Sequence, residues 1–125
     1  MSSTYSSNLR LELIASGEQA NTWGTTTNNN LGTLIEQAIS GYTTQAITDG
    51  ADTVMVMTPG ASATPRNMFI ECQGTLTAAR NLIVPGTSPN ANKKLYFIYN
   101  NTTGGFAVTV KVSGQTGVSV PNGAK

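Results

Sequence analysis

Phe106-Ala-Val-Thr-Val-Lys-Val112 is the cleanest alternation in the chain. Phe106, Val108, Val110 and Val112 fall on one face, and Ala107, Thr109 and Lys111 on the other. That is the period-two pattern of a strand with one buried side. Working outward, Lys94-Leu-Tyr-Phe-Ile-Tyr-Asn100 is strongly β, and Asn101 to Gly105 is the turn between the two. Further strands are predicted at 43–48, 53–58, 67–73, 75–85 and 118–120. Asp49-Gly50, Pro59-Gly60 and Pro85-Gly86 supply turn signals, and 88–92 reads as a loop. Short strands at about ten-residue spacing point to an all-β module. The expected fold class is mainly β: an N-terminal strand-loop-short helix module, then a small antiparallel β-sandwich or jelly-roll-like module.

Composition agrees. The chain has 125 residues, enough for one domain or two very small modules. Thr, Ser, Asn and Gly are abundant, which suits half-exposed strands and tight turns. Seven basic and six acidic residues leave a net charge of +1. No electrostatic footprint for nucleic acid or an anionic membrane is present. No apolar run reaches the roughly 18 residues of a membrane span. The start lacks the basic and apolar regions of a secretory signal. The expectation is synthesis and assembly in a cytoplasm.

Upstream of the strands lies Leu9-Arg-Leu-Glu-Leu13, where the leucines point one way and Arg10 and Glu12 the other. Ala15-Ser16-Gly17 ends this strand, and a polar loop carrying the only tryptophan, Trp23, follows. Trp23 is expected to plug a cleft, either in this chain or in a neighbouring subunit. Asn28, Asn29 and Asn30 suit a helix start, because their side chains can cap free N–H groups. Leu31, Leu34, Ile35, Ala38 and Ile39 then recur at helical spacing, and Gly41 is placed as a left-handed C-cap. A helix this short needs a surface to pack on, either the β module or copies of itself. The expected division is a flexible polar arm at 1–8, an anchoring and oligomerisation module at 9–41, and the β module at 42–125.

Three sets of residues carry a family resemblance: the Leu9/Leu11/Leu13 alternation, the Gly17…Trp23-Gly24…Asn28 spacing, and the Leu34-Ile35-Glu36…Ala38-Ile39 helix. Together they resemble the N-terminal module of tailed-bacteriophage virion proteins, often described as tail fibre or structural protein. Leu76 to Pro85, Tyr96 to Asn101, Gly104-Gly105 and Val118 to Gly123 resemble the small β modules of the same proteins. The resemblance implies a homotrimer located in the virion and docked on other phage proteins of the tail, neck, portal or capsid. The implied docking and oligomerisation residues are Tyr5, Leu9, Leu11, Leu13, Trp23, Leu31, Leu34, Ile35 and Ile39. At least one further hairpin usually follows in the resembled proteins. Here only Ala124-Lys125 follow the Pro121-Asn-Gly123 turn. Either the last strand pairs loosely or the β module continues in a longer protein.

Two stretches, 74–86 and 114–123, each run from a glycine to Val-Pro and a turn, a weak internal similarity. Cys72 alternates with Ile70 and reads as a buried small apolar residue. The chain has no histidine, which removes Ser-His-Asp and Cys-His nucleophiles and the usual zinc sites. Asp49 and Asp52 lack the oxygen-rich spacing of a calcium loop. Nothing favours a carboxylate pair such as Glu18 and Glu71 across a cleft. No phosphate-loop glycine pattern occurs. No catalytic residue, cofactor or metal site is therefore expected. Three roles follow. The first is a virion structural protein anchored by its N-terminal region. The second is a receptor- or glycan-binding module with Tyr96, Phe97 or Tyr99 as a sugar platform on a host surface glycan. The third is a capsid decoration protein.

Overall fold

The computed structural model describes residues 3–86 and 93–125. The predicted loop at 88–92 lies outside them. Among the described residues there are nine strands: β1 (Thr4–Tyr5), β2 (Glu12–Leu13), β3 (Tyr42–Ala46), β4 (Thr53–Val54), β5 (Phe69–Gln73), β6 (Arg80–Ile83), β7 (Phe97–Asn100), β8 (Val108–Lys111) and β9 (Val118–Val120). Helix α1 (Trp23–Asn29) runs through a π-helical stretch (Asn30–Ile35) into α2 (Glu36–Ser40). A 3₁₀ turn covers Thr64–Arg66.

The chain is mainly β, but its β module is not an antiparallel sandwich. β3, β5 and β7 form one parallel sheet, while β4, β6 and β8 form another. The chain alternates between the two sheets, so each pass adds one strand to each. This is the path of a short solenoid of three rungs. Only β9 turns back, antiparallel on β8.

The corners explain why Asp49-Gly50 does not close a hairpin. Asp49 spends its carboxylate on the next rung: it accepts from Thr77 N–H (3.2 Å) and Oγ1 (2.8 Å) and from Arg80 Nε (2.7 Å). Thr75 and Thr103 stack at the same corner one rung later, with a 3.0 Å bond between their hydroxyls. Both pairs are 28 residues apart, and so are Phe69 and Phe97 and Arg80 and Val108 in the sheets. The first step is one residue shorter at β3 and one longer at β4. The Val-Pro similarity between 74–86 and 114–123 does not correspond to this repeat, since β6 pairs with β8 rather than β9.

The core lies between the sheets. Ile70 and Cys72 from one sheet meet Leu82 and Val108 from the other, with Ile47, Met55 and Leu76 completing the cluster. Asn100 occupies the ladder position after Cys72 and is fully buried. Its amide donates to Phe106 O (3.0 Å) and Val120 O (2.9 Å) and accepts from Thr102 Oγ1 (2.6 Å). Its backbone N–H and C=O meet Ala124 and Gly123. One side chain thus ties the last rung to β9 and the C-terminal turn, with every polar atom satisfied.

The N-terminal region is fastened by a buried arginine. Arg66, 0% exposed, donates to the carbonyls of Leu9, Arg10 (3.2 Å), Thr58 (2.6 Å) and Ala61 (2.5 Å). A guanidinium offers five donors in a fixed fork, and here four backbone acceptors meet it. Burial lowers its affinity for the proton, yet the carbonyl cradle keeps its charge solvated by dipoles. Gly60 N–H also donates to Arg10 O (2.8 Å), and the Asn29 amide donates to Gly60 O (3.0 Å).

Four local expectations change here. The Leu9–Leu13 alternation is broken because Arg10 sits at φ +53°, held there by the bonds its carbonyl makes. Only Glu12–Leu13 is strand. The helix begins at Trp23, and the asparagines act across the fold instead of capping it. Asn30 pairs with the Glu12 backbone in both directions, N–H to Oδ1 at 3.2 Å and Nδ2 to C=O at 2.8 Å. Gly41 is extended (φ −68°, ψ 139°) rather than left-handed. Glycine is needed there because a Cβ would lie 2.4 Å from Gln37 O and Asn67 Oδ1. Residues 3–8, expected as part of a flexible arm, hold a strand: β1 pairs antiparallel with β2, and Asn8 Oδ1 accepts from Lys93 N–H at 3.0 Å.

Arg66→Ala should destabilise the protein by about 3–5 kcal/mol, because it strands buried carbonyls together with the chain segments they hold. Equilibrium urea unfolding checks this. Acid stability should report on Asp49. The Thr77 hydroxyl, then Arg80, hold its carboxyl below the ordinary value of 3.8. Its contribution is therefore present above that value and lost as the pH falls through the lower folded one. Asp49→Asn should be less stable than the parent at neutral pH, and the gap should narrow in urea titrations run at progressively lower pH.

Candidate docking surfaces

Two surfaces stand out, and the first is the N-terminal module. Trp23 opens the helix and is 61% exposed; Leu31 is 59% and Ile39 66% exposed. Leu13 and Tyr5 are also exposed, with Tyr5 leaning against Gly60. Leu34 is completely buried, while Leu9, Leu11 and Ile35 are half-buried. The apolar stripe predicted for the helix is therefore split: Leu34 enters the fold, whereas Leu31 and Ile39 face outward. Among the described residues, none supplies the cleft expected for Trp23. The loop before the helix is ordered by side-chain bonds: Gln19 Nε2 donates to Glu12 Oε1 (2.5 Å), and Thr26 Oγ1 donates to Gln19 Oε1.

The second surface is the outer face of the β3-β5-β7 sheet. In a parallel ladder every residue has its register partner beside it on the same face, about 4.8 Å along the stack. Tyr42, Phe69 and Phe97 share one row. Tyr42 stacks on Phe69 with ring centroids 5.2 Å apart. Tyr42 and Phe97, at the ends of the row, are 57% and 53% exposed. The next row is Thr44, Glu71 and Tyr99. Glu71 Oε1 accepts from Asn101 Nδ2 (2.6 Å) and Gln73 Nε2 (3.2 Å), and the Tyr99 hydroxyl donates to Asn101 Oδ1 (3.4 Å). The ammonium of Lys125 lies 4.4 Å from the Tyr99 ring.

Of the expected platform residues, Phe97 and Tyr99 lie on this face and Tyr96 does not. Alternation turns Tyr96 toward the core side, where its hydroxyl donates to Pro65 O (2.8 Å) and Lys94 sits over its ring. Burial pushes the Lys94 ammonium down to about 8. Tyr42 and Phe69 were missed by reading strands singly. The 28-residue offset that pairs Phe69-Ile70 with Phe97-Ile98 is the signal that finds Phe69, and Tyr42 joins the row one strand earlier at an offset of 27.

Asp49 and Asp52 point into corner contacts, Asp52 accepting from Asn81 Nδ2 at 3.0 Å. Cys72 is buried, and burial, then the Glu71 carboxylate, pushes its thiol up to about 11. Among the described residues no group of three potential metal ligands gathers, and no helix is long and apolar enough to cross a membrane. No protein-family model, curated protein or solved structure matches the chain.

Two outcomes follow from this placement. Trp23→Ala should change the stability of the isolated subunit by less than about 0.5 kcal/mol, as for an exposed side chain. In protein dilute enough to be monomeric, the indole emission should be that of a water-exposed ring. Cys72 should resist Ellman's reagent in the folded protein and react fully in denaturant, since only the thiolate is nucleophilic and here it is both sealed off and disfavoured.

Proposed function

We propose that the chain is a non-enzymatic structural protein of a tailed-bacteriophage virion, a tail fibre or head/neck appendage subunit that docks through its N-terminal region. The observation that carries this reading is the module of β1, β2 and the helix. Asn30 ties its helix to β2, and Arg66 and Asn29 hold the module to the solenoid, yet it leaves Tyr5, Leu13, Trp23, Leu31 and Ile39 exposed. Each such side chain contributes roughly 1.5–3 kcal/mol when fully buried. A rigid mount with several unburied large apolar groups is what a docking element requires, because little ordering entropy remains to oppose association. The family resemblance at Gly17…Trp23-Gly24…Asn28 supplies the biological setting.

In this reading the subunit is a homotrimer whose exposed apolar residues meet neighbouring copies and the tail, neck, portal or capsid proteins of the particle. Light scattering of the purified protein should give three times the subunit mass at micromolar concentration. Gold-labelled antibody should decorate the tail or neck of particles by electron microscopy, with few copies each. Trp23→Ala should abolish incorporation while the far-ultraviolet circular dichroism is unchanged. A monomer with full β signal, or full incorporation of the variant, contradicts the proposal.

A further inference from the structure

We propose that the last rung takes up an extended, acidic strand of a partner protein, which pairs antiparallel with β7 and completes the core opposite β9. The two sheets differ in strand number. Among the described residues, β3-β5-β7 has three strands and β4-β6-β8-β9 has four. β9 therefore overhangs the core. The row Leu82, Val110, Val118 follows this overhang. Leu82 is fully buried, Val110 half-buried and Val118 72% exposed. Val118 faces the same way as its two row partners, but among the described residues no strand stands opposite it. Tyr96, Ile98, Val110, Val118 and Val120 line the resulting groove, of about 410 Å³. A cavity of roughly 150 Å³ already takes a benzene ring, so the groove has room for more than one side chain.

The backbone of β7 selects a strand as the occupant. In a parallel ladder, alternate residues turn their N–H and C=O groups to opposite edges. Phe97 and Asn101 donate to Met68 O and Cys72 O, so Ile98 and Asn100 present theirs to the outer edge. Asn100 is answered there: its N–H donates to Ala124 O (2.9 Å) and its C=O accepts from Gly123 N–H (2.8 Å). With Gly123 at φ +80°, this is the glycine bulge of an antiparallel pair. Lys125 comes next, its ammonium 4.4 Å from the Tyr99 ring. Direction and register are thereby set. The following position meets the N–H and C=O of Ile98, which none of the described residues answers, and its side chain points into the groove beside Val118. A strand placed there continues an interface already begun and satisfies an open sheet edge. Its inward residues must be apolar to fill the groove, and those between them face outward. Lys125 lines the groove, the Lys94 ammonium lies 4.0 Å from the Tyr96 ring, and among the described residues no acidic side chain lines it. Two cations without a local carboxylate favour acidic outward residues. The apolar alternations of this chain at 53–57 and 106–112 already serve its own core, so a partner supplies the strand. The groove lies outside the N-terminal module, and its role stands or falls independently of anchoring.

The test is an NMR titration of the whole protein with the end-blocked heptapeptide Thr-Val-Glu-Val-Glu-Val-Thr. Saturable binding is expected, with the largest shifts at the Ile98 amide and the Val118 methyls and an Hα–Hα contact from the peptide to Phe97. N-methylation of the three valines should weaken binding at least tenfold, because it removes the N–H groups that face β7. N-methylation of the two glutamates, whose N–H groups face away, should leave it within twofold. Lysine in place of both glutamates should weaken it severalfold. Val118→Asp should weaken it at least tenfold. Val118 is exposed, so thermal melting of the variant should match the parent and exclude misfolding. Trp23→Ala, which tests anchoring, should leave peptide binding unchanged. Absence of saturable binding overturns the proposal, as does binding that tolerates methylated valines or lysine at the outward positions. If Val118→Asp instead lowers the mass of the assembly in light scattering, a second copy of the chain fills the groove, and the proposal is likewise overturned.

Discussion

Parallel pairing between successive rungs is the constraint on which this structure depends. A parallel strand cannot be satisfied by its neighbour in sequence, because a tight turn reverses direction. β3 therefore finds its partner in β5, and β5 in β7, with a strand of the opposite sheet in every connection. One consequence is that side chains 27 residues apart at the first step of this sheet, and 28 at the second, become lateral neighbours. The row Gln45, Cys72, Asn100, whose last two members are buried, and the row Tyr42, Phe69, Phe97, whose end members are exposed, are both products of that single rule. Another is that a fault in one rung is felt by the next, because corner groups such as Asp49 and Thr75 bond across rungs rather than within them.

A stack of this kind has two ends, and the molecule treats them differently. At the last rung, β9 reverses on β8 while Asn100 draws Gly123 and Ala124 against β7, replacing the rung-to-rung bonds with an antiparallel finish. An antiparallel edge strand interrupts the parallel register and so blunts end-to-end growth. On the N-terminal side, Arg66 gathers carbonyls from both sides of a long sequence separation and sets the N-terminal module beside the corner at 58–66. The positive φ of Arg10 is the local cost of that arrangement. A buried cation answered by four backbone dipoles adds a defined polar position to the burial of Leu34.

Strand locations were legible in the sequence, because alternation and β-branched composition act locally. The segments at 53–58, 67–73, 94–100 and 106–112 each contain an observed strand. Pairing was not legible from the same pattern. A one-sided strand looks alike in a parallel and an antiparallel sheet, and Asp49-Gly50 favours a hairpin until its carboxylate is seen engaged one rung away. The decisive signal was the distant match of Phe69-Ile70 with Phe97-Ile98 and of Val84…Gly86 with Val112…Gly114, which strand-by-strand reading overlooks. At the candidate surfaces, the exposure of Trp23, Leu31 and Ile39 depends on how the helix lies, and periodicity alone had grouped Leu31 and Ile39 with the buried Leu34. Arg66 had no sequence signal at all: a single arginine in a Thr-Pro-Arg-Asn loop looks like any solvated residue.

Proton NMR tests the parallel register most directly. Short Hα–Hα contacts across strands are a property of antiparallel pairs. They should therefore be confined to β1 with β2 and β8 with β9, while amide contacts link Ile70 to the neighbourhoods of both Thr43 and Ile98. Strong Hα–Hα contacts between residues 42–46 and 53–58 would contradict the account, because they would make the Asp49-Gly50 turn a hairpin and dissolve the ladder that places Tyr42, Phe69 and Phe97 in one row.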